Sequence, residues 1–436
     1  MQAMSRPSRR DFVRISAGGV ATAAIGRSLL AAAPPEPAPP AAPEAPFVGE
    51  AGGARSFLTP PLEFQDVSRG NPKPYSLKGA ALAEARLTPE TWRLEITADP
   101  FVEKPSVNVP ASLERPLTLD AGNALDLAAL LDLGKKHEVH FLKAMQCLNI
   151  DTPLGQGLWT GVPLRALLDL CGRMTNVRRI YYWGFHNNDP AQLFKSSLSY
   201  TQAMETPPGE LPAFIAYRLN GEPIGLLRGG PVRMIIPWSH GYKSVKWLQR
   251  ITVTNDHRNQ DTYANGNNDP DSYLKTAAYV DDGPEKIPAG KDVFLTGQVI
   301  SGLSGVSRVE YWVRPVEKKV EGKPVAGGAL ADDDPQLLRG PWVECQLEPQ
   351  PVWKAILPES INPKQLLGFD KTTGRPLSWP PRYSMIAYRA TIRSLKGGQY
   401  EIRARAVDGN GFAQPQPRPS QKSGRNGIQV RRVSVG

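Results

Sequence analysis

The sequence predicts an α+β chain in two globular parts: a mixed domain of strands and helices, then a β-sandwich of about the immunoglobulin class. Three observations predict it. Between residues 57 and 264, short strand patterns and short helical patterns follow one another without a βαβ rhythm. After about residue 265 helical patterns almost vanish, and short strands recur at turn-bounded spacings. The chain has 436 residues, 40% of them hydrophobic, which is long for one domain and comfortable for two.

The N-terminus reads Ser8-Arg9-Arg10-Asp11-Phe12-Val13, ahead of a mild apolar run over 15–33 broken by Gly18, Gly19 and Arg27. That run is too short and too weak for a stable membrane span. Twin arginines before such a run resemble a twin-arginine export signal over 1–33, cleaved within 31–33, with a periplasmic destination. Residues 34–54 contain PPEPAPPAAPEAP, a linker that proline keeps extended and unable to build helix or sheet. The first globular part is bounded at 55–264. WRLEIT at 92–97 alternates like a strand, 126–133 is a short helix with an apolar face, and 138–145 is a strand. WTGVPLRALLDL at 159–170 reads as a Gly-Val-Pro turn followed by a helix. Further strands are expected at 179–183, 214–219, 233–237 and 245–254, with a turn at Asn220-Gly221-Glu222-Pro223. The second part, 265–436, has strands expected at 293–300, 306–313, 342–347, 387–394 and 400–407.

The net charge is +10, but lysines and arginines are scattered and form no basic helix or RNA-binding aromatic motif, so no nucleic-acid partner is expected. An anionic cofactor or substrate uses such charge equally well. The three cysteines, Cys147, Cys171 and Cys345, exclude a dense disulfide framework. Cys171 lies in the apolar run ALLDLCG and reads as a core thiol. Whether it bridges Cys345 is open.

Cys147 ends the strand 138–145 and opens a polar loop with Asn149, Asp151, Pro153 and Gly155. Taken alone it is either a core thiol, as free cysteines usually are, or a thiolate ligand for a soft metal site. Zinc held by His137, His140 and Cys147 is disfavoured, since residues three apart on a strand point to opposite faces and no fourth ligand has a familiar spacing.

The combination of strand, Cys147, polar loop and W-x-G-V-P-L-R-x-L-L resembles the molybdopterin-binding domain of the sulfite oxidase family. The likeness extends to Asn220-Gly221-Glu222-Pro223, Gly229-Gly230-Pro231-Val232-Arg233, Pro237 and Ser244-Val245-Lys246-Trp247. VSRVEYWV and YEIRARAVDGNGFAQPQ in the second part look like that family's C-terminal dimerisation domain. The resemblance implies molybdopterin and molybdenum as cofactors, with Cys147 as the protein ligand of the metal. It also implies Arg233, Ser244, Val245 and Lys246 as holders of the pterin and its phosphate, a role that suits cations on a Gly-rich loop. Arg228 stands where many members have His or Asn. Arg69-Gly70-Asn71-Pro72-Lys73-Pro74 is similar to an R-N-H-x-P-x-P run, which puts Arg69 and Asn71 beside the cofactor or in an ordinary turn. Tyr263 falls where the family has a tyrosine next to the metal, able to donate a hydrogen bond or organise a proton path, and is otherwise a loop residue. His186 lies near another pterin contact. His240 lines the cavity or the surface.

Sulfite-oxidising members usually carry C-x-G-N with arginines soon after. Here Cys147-Leu148-Asn149-Ile150-Asp151 lacks those arginines and has an acid. The expectation is therefore two-electron oxygen-atom transfer on a small sulfur or related oxo compound, with sulfite a weak substrate. No C-x-x-C-H haem motif is present, so electrons pass to or from an external protein such as a cytochrome. A homodimer through the C-terminal domain is implied by the same resemblance. The alternative from another class is a non-catalytic secreted binding protein that uses its sandwich for partner contacts.

Overall fold

The structure is a computed structural model and describes residues 56–99, 109–207, 210–266, 268–316, 330, 334–393, 395–415 and 426–436. The twin-arginine segment and the proline-rich linker lie outside the described residues. Helix and sheet are mixed, with strands dominating. No helix among the described residues is long and apolar enough to cross a membrane.

The first part holds two sheets. One has the order Leu125–Asp126, Arg93–Ala98, Leu248–Thr254, Arg179–Gly184, Ser196–Ser199, with Arg93–Ala98 and Leu248–Thr254 parallel. The other has the order Glu222–Pro223, Phe214–Leu219, Gly155–Pro163, Val139–Met145, and Arg233–Ile235 also pairs with Phe214–Leu219. Leu94, Ile180 and Ile251 from the first sheet and Val162, Ile215 and Met234 from the second share one apolar core. The helix Leu127–His137 inserts Leu130 into it. Asp126 caps that helix by accepting from Ala129 N at 2.8 Å, and Lys135, Lys136 and His137 in its last turn complement its dipole. His137 thus ends a helix, where the sequence had suggested the following strand.

Val139–Met145 is buried along almost its whole length, as expected of a strand covered on both faces. Phe141 and Met145 join one apolar cluster and Leu142 another. The following strand, Gly155–Pro163, replaces the turn expected at 161–163. Its pairing with Phe214–Leu219 shifts register between Thr160 and Gly161, and a Cβ on Gly161 would lie 2.0 Å from Ile215 O. The glycine serves a bulge rather than a turn, and Pro163 then caps the short helix Leu164–Leu168. The strand expected from 245 begins only at Leu248, because Trp247 takes a left-handed backbone (φ 53°).

In the second part, Ala277–Val280, Val293–Ile300, Met385–Ile392 and Gln346–Leu347 form one sheet. Lys286–Ile287, Gln429–Val435, Gly398–Val407, Arg308–Val316 and Val343–Glu344 form the other. Leu295, Tyr388, Ile402 and Val433 meet in a core common to both. The single strand expected at 342–347 is divided at buried Cys345: Val343–Glu344 pairs with the five-stranded sheet and Gln346–Leu347 with the other. The two parts also share core. Phe141, Trp159 and Phe214 cluster with Leu274, Ile300, Tyr383 and Met385, and Gln156 exchanges hydrogen bonds with the Met385 backbone at 3.0 and 2.6 Å.

Gly161→Ala forces a methyl into the Ile215–Ala216 backbone, so it should lower stability by about 1–3 kcal/mol, the usual cost of overpacking a core. Thermal unfolding checks this, and an unchanged midpoint would contradict the bulge geometry.

Candidate functional site

The strand Val139–Met145 delivers Cys147 to the end of a solvent-open cleft. Gln146 ties down the loop that follows: its carbonyl accepts from Gly241 N at 2.7 Å, and its Nε2 donates to Cys147 O at 3.1 Å and Ile150 O at 2.5 Å. All three cysteines are free thiols. Burial pushes Cys171 up to about 11, and it also raises Cys345. Cys147 is half-buried and is the one described cysteine that lines the cleft.

One wall of the cleft is cationic. Arg233 is buried, donates from Nη1 to Arg228 O at 2.8 Å and from Nη2 to Ser244 O at 2.6 Å, and stacks 4.9 Å from the Trp159 ring centroid. Its Nε has no partner. Arg228 is buried too, with Nη1 on Phe64 O at 2.8 Å and a second unpartnered Nε. Lys246 uses all three ammonium protons on Asp66 Oδ1 at 3.1 Å, Ser68 Oγ at 2.5 Å and Leu227 O at 3.1 Å. Gly229 brings these groups together: a Cβ there would sit 2.5 Å from Lys246 Cγ, and its φ of 95° favours glycine. Burial, and then repulsion from Arg233, pulls Lys246 down to about 7 despite Asp66. Burial, and then Arg228, pulls Arg233 down to about 9. Burial raises the Asp66 carboxyl, but hydrogen bonds from Ser68 and Lys246 and the Lys246 charge outweigh it and hold Asp66 well below the usual range.

The opposite side is aromatic. Tyr263 packs 5.4 Å from Phe194 and 4.7 Å from Tyr242, centroid to centroid. Burial raises its phenol, the nearby Cys147 raises it further and Arg69 lowers it. The Arg69 guanidinium lies at the exposed mouth, 4.9 Å from the Phe194 centroid. His186, Ser244 and Val245 also line the cleft. Ser244 spends its hydroxyl inside the fold, accepting from Ile236 N at 3.2 Å. Of the residues singled out from sequence, Asn71 is not brought into the lining. Gly70, at φ 104°, turns the chain, and the Asn71 backbone instead pairs with Gln192 at 2.8 and 3.3 Å.

Several groups were missed by sequence reasoning. Asp66 sits outside every motif. Lys143 is fully buried in mid-strand, its ammonium held only by Pro237 O and Ser239 O at 2.8 and 2.9 Å, and burial with Arg233 nearby pulls it down to about 7. His240, expected at cavity or surface, is buried behind the cleft with Nδ1 3.1 Å from Ser272 O, and burial pulls it down to about 4. Asp151, expected to add negative charge beside Cys147, instead borders a separate groove with Tyr279 and Asp281, and its carbonyl accepts from Gln429 Nε2. Among the described residues no three His, Cys, Asp or Glu side chains gather to hold a metal.

The depressed lysines make stability depend on pH. Between about pH 7 and 10.5, Lys143 and Lys246 are largely neutral when folded and charged when unfolded. The unfolded chain then binds more protons, so stability rises with pH across that window. Thermal melts of cofactor-free protein should climb from pH 7 to 9.5, by about 1 °C per kcal/mol gained in a chain of this length. Lys143→Met should flatten the climb, and an equal slope in both proteins would contradict a desolvated Lys143.

Comparison with known proteins adds a domain match that overlaps this cleft. Residues 82–263 match the oxidoreductase molybdopterin binding domain, so the strap carrying Asp66 and Arg69 lies just N-terminal to the matched segment. An inducible NADH nitrate reductase of Glycine max is 37% identical over 106 residues, 24% of this chain and 12% of the relative. The NADH nitrate reductase of Solanum lycopersicum is 32% identical over 177 residues, 37% of this chain and 18% of the relative. The chain thus spans less than a fifth of the length of these relatives. The sulfane dehydrogenase SoxCD of Paracoccus pantotrophus shares the fold, with TM-score 0.51 and 16% identity over 80% of this chain and 77% of that one. Residues 82–263 thus carry an oxidoreductase molybdopterin binding domain, set in a fold shared with that sulfane dehydrogenase.

Proposed function

We propose that this is an exported, periplasmic enzyme of two-electron oxygen-atom transfer, acting on a small sulfur or related oxo compound in the manner of a sulfite or sulfane dehydrogenase. In this reading residues 55–264 hold the cofactor and residues 265–436 are an immunoglobulin-like dimerisation domain. The match of residues 82–263 to a molybdopterin-binding oxidoreductase domain favours an enzyme over the non-catalytic binding protein. The observation that carries the reading is the meeting of a free thiol, a phenol and a buried cationic wall in one cleft.

The residues present fit the molybdenum–pterin group. Arg228 and Arg233 are buried cations with unpartnered Nε atoms, and an anionic group beside them relieves the repulsion that depresses Arg233 and Lys246. Cys147 supplies the soft ligand that such a metal prefers. When bound, the group supplies two-electron redox chemistry at the substrate. Arg228, Arg233 and Lys246 hold its anionic part, and Phe64, Met145 and Trp159 exclude water from the cleft floor. Tyr263 donates from its phenol oxygen toward the reacting substrate or passes a proton there. In the oxidising direction the substrate gains one oxygen from water and releases two protons and two electrons, and the electrons pass to an external carrier such as a cytochrome.

The loop directly after Cys147, residues 148–155, has no arginine, and Arg69 is the cation at the cleft mouth, so sulfite is proposed as a weaker substrate than a less charged sulfur compound. With Asp151 outside the lining, only the missing arginines support that ranking. Nitrate is the second reading, since relatives over the same segment are named nitrate reductases.

Purified protein should contain stoichiometric molybdenum and extractable pterin. Cys147→Ser should keep the fold and lose turnover, because a hard hydroxyl replaces the soft ligand. Steady-state assays against sulfite, thiosulfate, S-oxides and nitrate then rank the substrates. Stoichiometric zinc without molybdenum would contradict the reading. Sulfite turnover with kcat/KM on the order of 10⁵ M⁻¹s⁻¹ or more would overturn the ranking alone.

A further inference from the structure

The aromatic side of the cleft is held from behind by a buried ion pair. Lys243 and Asp261 are both essentially inaccessible, with Nζ and Oδ2 3.0 Å apart. Lys243 Nζ also donates to Ser197 O at 2.5 Å. Asp261 accepts from Ser197 N at 3.1 Å, from Ser196 Oγ at 3.4 Å and from Ser197 Oγ. Tyr182 Oη donates to Lys243 O at 2.9 Å. The carboxylate is therefore fully satisfied, and the pair joins three segments: the turn Gly241–Lys243, the strand Ser196–Ser199 and the loop leading to Tyr263.

Each member of the pair stands next to a cleft-lining ring. Tyr242 precedes Lys243, and Tyr263 follows Asp261 by two residues, with their ring centroids 4.7 Å apart. Between Asp261 and Tyr263, Thr262 clamps the loop a second time: its N donates to Lys195 O at 3.1 Å, and its Oγ1 accepts from Lys195 N at 3.0 Å. Phe194, just before that clamp, closes the aromatic cluster against Tyr263 and Tyr242 at 5.4 and 6.5 Å. The turn bearing Lys243 runs on into Ser244, Val245 and Lys246. The pair thus links the anion-holding turn to the loop that carries the phenol.

We infer that Lys243 and Asp261 are positioning residues that set the Tyr263 phenol relative to Cys147 and the substrate, acting through the ring and touching no reactant themselves. The inference rests on the proposed catalytic part of Tyr263. A buried pair satisfied this completely fixes its neighbours in one arrangement, whereas a neutral partner leaves the other charge unpaired and the loop free to shift.

The test uses the holoenzyme with 3-fluorotyrosine at position 263, compared with Asp261→Asn and with Ser197→Ala, which removes the hydroxyl contacts to Asp261, Asn259 and Arg179 and keeps both charges of the pair. In Asp261→Asn, molybdenum and pterin content should match the parent while the fluorine resonance shifts or broadens. Turnover should fall about tenfold or more, since a misplacement near 1 Å costs up to about a hundredfold. In a Tyr263→Phe background the same substitution should change kcat by less than about twofold, the mark of two residues acting as one unit. Ser197→Ala should move the resonance the same way by less, and it carries the test if Asp261→Asn fails to fold. An unmoved resonance in the folded variants, or equal loss of kcat in both tyrosine backgrounds, overturns the inference. If Tyr263→Phe leaves kcat intact while the resonance moves, positioning of the ring stands and the catalytic part proposed for Tyr263 falls.

Discussion

Desolvated positive charge is the constraint from which the cleft follows. Arg228 and Arg233 are buried and Lys246 nearly so, on one wall, with Asp66 on the rim as the paired carboxylate. Burying like charges together is unfavourable unless partners satisfy them. The fold meets part of that cost with carbonyls: Phe64, Arg228, Leu227 and Ser244 each offer a backbone oxygen. The rest shows as depressed affinity for protons in Lys246 and Arg233 and as two unpartnered Nε atoms. In the proposed function a bound anion would complete the arrangement, which would tie cofactor binding to stability by linkage.

The scaffold around that wall is arranged to hold it open. Gly229 lets the Arg228 loop approach Lys246, and the bulge at Gly161 brings Gly155–Pro163 into register with Phe214–Leu219. Lys143 crosses from the strand before Cys147 to the carbonyls of Pro237 and Ser239, fixing the loop that leads to the turn Gly241–Lys243. The second part of the chain contributes to this scaffold. Leu274, Tyr383 and Met385 pack on Phe141 and Trp159, so the strand that presents Cys147 depends on residues far along the sequence.

Much of the site was legible in the sequence, because motif residues at strand ends and Gly-rich loops have fixed local geometry. Cys147, Arg233, Ser244, Val245, Lys246 and Tyr263 do converge on one cleft. Elements with a clear period were legible too: the alternating Val293–Ile300 lies where expected. What escaped depends on tertiary contacts. Lys143 lies in a strand buried on both faces, where alternation gives no polar side and a lone lysine looks incidental. Asp66 and the Lys243–Asp261 pair acquire meaning only when distant segments meet. Gly161 and Pro163 suit a turn by conformational preference, yet a bulge and the first position before a helix use the same residues. Cys345 divides its strand because two sheets compete for the segment, which no local pattern records.

The most direct test is X-ray absorption at the molybdenum edge of the purified protein, set beside Cys147→Ser loaded with the same cofactor. If the cleft holds the metal through Cys147, the parent shows a sulfur ligand that the variant lacks and replaces with a lighter atom. An identical sulfur count in the two proteins would contradict it and move the metal away from this strand end.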